Sequence, residues 1–187
     1  RLVTNLEKLS RVTDSLDTPS QQEVDLQTLV AEVARQVDEM ATARQVTIRV
    51  HAAEVPPLLI DSARLELVLL NLVSNAIKYC DPSKPDRFIE VAASLADDEM
   101  CAIAVRDNGL GIAEQDQSAI FERFFRAHSH LDHALGVTGT GLGLAIVDEC
   151  VSALDGSIRC ESTLGSGTTF FISVPLRPRP ASTDSVD

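Results

Sequence analysis

Apolar positions along this chain change period several times, and each change marks an element. Leu2, Leu6, Leu9, Thr13 and Leu16 follow a four-three spacing that lays a mostly apolar seam along one side of a helix. The stretch from Asp17 to Glu23, polar and containing Pro19, breaks that seam and reads as a linker. Asp25 is a good helix N-cap, and Leu26, Leu29, Val30, Val33, Ala34 and Val37 then line one face of a helix suited to packing on a sheet. Val46 to His51 alternates with period two as a half-buried strand; Pro56 and Pro57 precede a short apolar run, Leu58 to Ile60.

Asp61 caps the next predicted helix, where Leu65, Val68, Leu69, Leu72, Val73 and Ala76 share the apolar side. Asn71, Asn75 and Lys78 fall at i, i+4 and i+7 on another side. After a loop from Pro82 to Asp86, Arg87 to Ala96 and Met100 to Arg106 read as an antiparallel hairpin turning across Asp97 to Glu99, and Asp107 sits where its second strand ends. No period holds from Ala113 to Val137, a length that inside a compact domain points to a lid or binding loop. The glycines from Gly139 open a last helix carrying Leu144, Val147, Val151 and Leu154, with Gly156 just past its end. Ser157 to Glu161 and Thr169 to Val174 form a closing hairpin around Leu164 to Gly167, and the proline-rich polar tail from Arg177 is expected to be disordered.

Composition narrows the partners. With 187 residues and 44% of them hydrophobic, the chain can bury one sizeable core. Its net charge of -12 repels a phosphate backbone, and no basic run is interleaved with aromatics, so nucleic acid is not an expected partner. No apolar stretch reaches the ~18 to 20 residues of a membrane span, which predicts no membrane contact by this piece. Cys80, Cys101, Cys150 and Cys160 form no CxxC pair and no zinc spacing; scattered thiols of this kind suit a reducing cytoplasm and the core. Because the chain opens on Arg1 within a helical pattern, it is expected to be cut from a longer protein.

Three separated stretches supply the parts of a nucleotide site. Asn71 and Asn75 are odd choices for a solvated helix face, because Asn is a mediocre helix former; Mg2+ prefers oxygen donors, and Asn75 is the candidate metal ligand, with Asn71 one turn earlier. Lys78 and Tyr79 extend that face toward phosphate as a point charge and a hydroxyl donor. Asp107, at a strand end, can accept a hydrogen bond from the exocyclic amine of adenine, where guanine presents a carbonyl. A plain Asp-Asn-Gly turn explains the same letters, but Gly109 and Gly111 leave room for a ring to approach the backbone. Thr140, Gly141, Leu142 and Gly143 are expected to begin a helix whose amides and positive dipole end face phosphate. There is no Gly-Lys dipeptide for a Walker loop, no Rossmann spacing, and no His-Arg-Asp or Asp-Phe-Gly of the eukaryotic-type kinases. His128, His130 and His133 lie in the lid stretch without a neighbouring cysteine, and read as exposed lid residues; His51 reads as structural.

The order of these stretches resembles the N, G1 and G2 boxes of the GHKL ATP-binding superfamily, and most closely the catalytic domain of sensor histidine kinases. The pattern Asn-x-x-x-Asn-Ala-x-Lys-Tyr from Asn71 to Tyr79 matches the kinase N box. Phe121 to Arg126 looks like the F box, with aromatics that anchor the lid and with Arg126 at the position of an arginine directed at the terminal phosphate; Arg123 reads as a surface ion-pair former. Gly165 to Thr168 resembles the last glycine box, where Thr168 supports a water near Asp107.

The resemblance implies a two-layer α/β sandwich, a mixed and mostly antiparallel sheet packed on about three helices. It implies a dimerisation-helix end over 1–18, a linker over 19–24, an ATP-binding catalytic domain over 25–176 with its lid at 113–138, and a tail over 177–187. ATP and Mg2+ are the implied cofactors, with nucleotide contacts at Asn75, Lys78, Tyr79, Asp107, Gly109, Gly111, Thr140, Gly141, Leu142, Gly143, Leu144 and Thr168. Asn71 and Arg126 carry the implied catalytic roles. The implied partners are a histidine-bearing dimerisation domain of the same protein, forming a homodimer, and a response regulator receiver domain. At position 71 the hydrolysing relatives carry a Glu that activates water; a neutral amide cannot take that proton, so transfer is favoured over hydrolysis. A non-catalytic module of the same fold that senses ATP or ADP or docks on a partner is the alternative, and a hydrolysing GHKL ATPase is a third reading.

Overall fold

The computed structural model describes residues 20–52, 55–97, 99–131, 135–136 and 139–177. The expected dimerisation-helix stub over 1–18 and the tail beyond Arg177 lie outside the described residues, as do parts of the lid. Gln21–Val24 forms strand β1, although these residues read as a linker. The correction has a tertiary cause: β1 pairs antiparallel with β3, Leu58–Asp61, so polar letters are held in a strand by a partner about 40 residues away.

Helix α1, Leu26–Gln36, starts where Asp25 accepts a hydrogen bond from the Thr28 N–H at 2.9 Å, and buries Leu26, Leu29, Val30 and Val33. A short helix α2, Asp38–Ala43, leads into β2, Val46–His51, which alternates as expected. Asp61 caps α3, Ser62–Lys78, through the Arg64 N–H, and the apolar side predicted for this helix is the buried one. Each fully buried leucine of that side, Leu65, Leu69 and Leu72, contributes roughly 1.5–3 kcal/mol of burial.

Strands β4, Arg87–Leu95, and β5, Met100–Asp107, form the predicted hairpin. Helix α4, Gly143–Ala153, is followed by the closing hairpin of β6, Ser157–Thr163, and β7, Gly167–Pro175. The main sheet has the order β2-β4-β5-β7-β6, parallel between β2 and β4 and antiparallel elsewhere. Helices α1, α3 and α4 cover one face, which gives the expected two-layer sandwich with a single core between sheet and helices. Period-two alternation sends Cys101, Ile103 and Val105 of β5 inward, and Asp107 is the next residue in that row. On the other face His51 is exposed, within 4.0 Å of Glu90, so it lies outside the core.

Candidate functional site

One polar row ends the apolar interior of the sheet. Asp107 is paired with Thr168 across β5 and β7, and Thr168 with Ser162 across β7 and β6, so three polar side chains replace the apolar rungs that precede them. Ser162 and Thr168 share a hydroxyl hydrogen bond of 2.8 Å, and Ser162 Oγ also accepts from the Ile112 N–H. Asp107 Oδ1 accepts from the Gly109 N–H at 2.7 Å. Burial pushes the Asp107 carboxyl up to about 6, against the downward pull of the Gly109 and Thr168 backbone N–H groups and the Lys84 ammonium. A cleft of about 410 Å³ opens at this row, lined by Asp107, Gln117, Ser162 and Thr168 among others.

The glycines around Asp107 are required by close approach. A Cβ on Gly109 would stand 2.5 Å from the Tyr79 carbonyl oxygen, and one on Gly111, whose φ is +67°, would stand 2.0 Å from that of Thr163. The turn after β5 is therefore pressed between the end of α3 and the β6–β7 hairpin, and Leu110 N–H donates to the Tyr79 carbonyl at 3.0 Å.

The asparagine face of α3 meets the start of α4. A Cβ on Gly143 would lie 3.0 Å from Asn71 Oδ1 and 3.8 Å from Asn75 Nδ2. Asn71 is held by its own helix, donating from Nδ2 to the Leu67 carbonyl at 2.9 Å, which leaves its oxygen toward Gly143. The helix begins at Gly143, later than expected: Thr140, Gly141 and Leu142 precede it. The reason is conformational, since Gly141 has φ +73°, which a right-handed helix excludes. Leu142 serves as the N-cap, and Leu144 is the second helical residue.

The lid is tied down by several contacts. Phe124 N–H donates to the Gly141 carbonyl at 2.8 Å, and a Cβ on Gly141 would meet the Phe124 backbone at 2.7 Å. Phe121 packs edge-on against Phe170 with ring centroids 6.3 Å apart, and Phe125 also packs against the core. Phe124 is 72% exposed, so only two of the three expected aromatic anchors hold the lid. Arg126 lies alongside Gly139, its Nη2 being 3.5 Å from where a Cβ would stand. Arg123 pairs with Glu149, as expected. His128 is a correction: it is 8% exposed, its Nε2 lies 2.7 Å from the Gly111 carbonyl oxygen, and its ring centroid is 5.5 Å from that of Tyr79. A carbonyl only accepts, so that nitrogen carries a proton. The His130 side chain and His133 lie outside the described residues, and no metal-binding cluster occurs among those described.

Lys78 is half-buried at the end of α3, and its ammonium pKa is lowered, first by desolvation and then by the neighbouring Arg44 charge. Arg44 itself donates to the carbonyls of Lys78 and Leu135, at 2.9 and 2.8 Å, which joins α3 to the lid. Two cations held together favour an anion between or beside them.

Residues 60–178 match the family described as histidine kinase-, DNA gyrase B- and HSP90-like ATPase. The chain belongs to this family. It is 38% identical over 181 residues to the sensor-like histidine kinase SenX3 of Mycolicibacterium smegmatis, a match covering 97% of this chain and 46% of SenX3. It therefore spans about half the length of that relative. The crystal structure of full-length ShkA in complex with AMPPNP superposes with a TM-score of 0.72 at 30% identity, covering 84% of this chain and 31% of ShkA. The mycobacterial sensor histidine kinase MprB gives a TM-score of 0.68 at 28% identity, covering 86% of this chain and all of that one. The domain thus has the ATP-binding fold of this family, as its sequence implies.

Within this ATP-binding domain, sequence reasoning missed Arg44, Lys84, Ser162 and the buried state of His128. Lys84 donates to four backbone carbonyls, a partner set that no local pattern announces. Among the described residues no helix is long and apolar enough to cross a membrane.

Proposed function

We propose that this chain positions MgATP for transfer of its γ-phosphoryl group to a histidine nitrogen on a dimerisation domain of the same protein. The bond to the β-phosphate oxygen breaks as the new P–N bond forms, and ADP leaves. The phosphoryl group then passes to an aspartate of a response regulator receiver domain. The observation that carries this reading is the meeting of two amide side chains, Asn71 and Asn75, with the N-terminus of α4 at Gly143.

The residues present fit the nucleotide. Asp107, desolvated and poised at the open end of a cleft, offers an acceptor to the adenine amine, and Thr168 and Ser162 provide hydroxyls beside it. Gly141 and Gly143 let the Phe124 backbone and the Asn71 amide come close to the start of α4, and the first turn of that helix presents N–H groups suited to phosphate. Thr140, Leu142 and Leu144 belong to the same cradle, while Lys78 and Tyr79 close its far end. Asn75 would contribute an oxygen to Mg2+, which when bound neutralises phosphate charge. Arg126 stabilises charge on the terminal phosphate. The four thiols, all free, fit a cytoplasmic setting, and dimerisation belongs to the helices expected over 1–18.

The test adds the missing histidine-bearing helices to this chain with labelled MgATP and follows the label. Transfer to histidine is expected, and Arg126→Ala is expected to lower its rate about 100-fold while changing the ATP Kd by less than about threefold. Tight MgATP binding with no transfer would replace this reading with that of a nucleotide-sensing module. Equal losses of binding and transfer in Arg126→Ala would remove the role given to that residue.

A further inference from the structure

The loop between α3 and β4 places one ammonium among four backbone oxygens. Lys84 Nζ lies 2.6 Å from the Asn108 carbonyl oxygen, 3.2 Å from that of Gly109, 2.8 Å from that of Gly165 and 3.3 Å from that of Ser166. The first two belong to the turn that follows Asp107, the other two to the β6–β7 hairpin turn. An ammonium has three donors and no acceptor, so one N–H is shared between two carbonyls. Without a cation, the negative ends of four peptide dipoles would face one another across the gap between two loops.

Other contacts show how closely the loops are drawn. Gly165 N–H donates to the Leu110 carbonyl at 2.6 Å. A Cβ on Gly167 would stand 2.2 Å from the Asp107 carbonyl oxygen. Asn108 is fixed from the same side, accepting from the Phe88 N–H at 3.0 Å and donating to the Asp86 carbonyl at 2.7 Å. Among the described residues, Lys84 is the charged side chain that hydrogen-bonds to both turns, and its charge also acts on Asp107.

We propose that Lys84 is a positioning residue of the adenine subsite: an internal cation that locks the Asn108–Gly109 turn to the Gly165–Ser166 turn and thereby sets nucleotide affinity. This rests on the ATP-site reading above. Lys84 touches neither nucleotide nor reacting atoms; it acts by holding Asp107 and its glycine turn in the geometry that receives the base. Its loss therefore raises the Kd for ATP and leaves transfer at saturating MgATP within about twofold of the wild type.

The experiment uses Lys84→Ala, which empties the cage, and methylammonium as the probe that refills it. In the nucleotide-free chain, exchange of the Leu110 and Gly165 amides is expected to quicken about tenfold, equivalent to ~1.4 kcal/mol. The ATP Kd is expected to rise by a similar factor. Methylammonium at tens of millimolar should reverse both changes in the variant and neither in the wild type. Tetramethylammonium at equal ionic strength, too bulky for the cage, should reverse nothing. Unchanged amide exchange overturns the proposal, as does faster exchange with an unchanged Kd, or rescue by both ammonium ions alike. Should Lys84→Ala not fold, Lys84→Met keeps the stem without the charge; faster exchange with weaker ATP binding supports the proposal, and wild-type values overturn it. If the wild type binds no ATP while the variant still loosens both turns, the nucleotide reading fails and the clamp between the turns stands.

Discussion

At the scale of single residues, the role proposed for Asp107 sets binding against stability. Its carboxyl continues the inward row of Cys101, Ile103 and Val105, beside Ile89 on the neighbouring strand, and burial raises its pKa from about 3.8 to about 6. The folded protein thus binds this proton more tightly than the unfolded chain does. The stabilising effect is fully present below about pH 3.8 and is lost as pH rises through about 6, so at neutral pH the ionised carboxylate costs on the order of 2–3 kcal/mol. Asp107→Asn keeps the acceptor for the Gly109 N–H and removes the charge. We expect this variant, empty of nucleotide, to melt several degrees above the wild type at pH 7.5, and the gap to close by about pH 4. We also expect its ATP binding to be lost at pH 7.5, as read by calorimetry with GTP as the control. A variant less stable than wild type at neutral pH would show that the carboxylate is not under this strain.

The lid acts on its neighbours through hydrogen bonds that end on backbone carbonyls. The lid reaches the turn after β5 through His128 and Gly111, reaches the start of α4 through Phe124 and Gly141, and reaches the end of α3 through Arg44 and Leu135. Replacing His128 by Ala removes its hydrogen bond to the Gly111 carbonyl and its ring contact with Tyr79, together worth about 1–2 kcal/mol. Amide exchange across 112–131 should accelerate about fivefold or more, and ATP should dissociate faster by a similar factor. Exchange unchanged in that stretch would mean that the other ties hold the lid alone. Gly111→Ala is a harsher change, because it combines positive φ with a 2.0 Å approach to the Thr163 carbonyl oxygen. A loss of about 2 kcal/mol or more in urea unfolding is expected, and a loss under about 0.5 kcal/mol would show that the hairpin yields easily.

For the molecule as a whole, the proposed function predicts that ATP is held rather than hydrolysed by this chain alone. Asn71 is a neutral amide that cannot take a proton from water, and it is occupied by the Leu67 carbonyl on one side and faces Gly143 on the other. Incubation of the chain alone with MgATP should release phosphate no faster than a buffer control, measured with a coupled phosphate assay. Substantial release would revive the hydrolysing reading. The free thiols belong to the same picture of a packed domain: desolvation pushes the buried Cys101 and the partly exposed Cys160 up to about 11, which leaves both protonated at neutral pH.

What the sequence determined by itself was local and periodic. Period-two alternation located β2, composition and turn letters located the two hairpins, Asp25 and Asp61 announced their helices, and the spacing of Asn71, Asn75 and Lys78 marked a polar helix face. These are legible because each depends on neighbours within a few residues. The spacing of the motifs likewise carried the family. Tertiary structure alone decided the rest. β1 exists because β3 offers it a partner, the helix start moved to Gly143 because the lid fixes Gly141 at positive φ, and His128 is buried because the Gly111 carbonyl lies within its reach. Lys84 illustrates the limit best. Its four partners come from two turns that are 24 and more residues away, and no local pattern of letters records which carbonyls will converge on one ammonium.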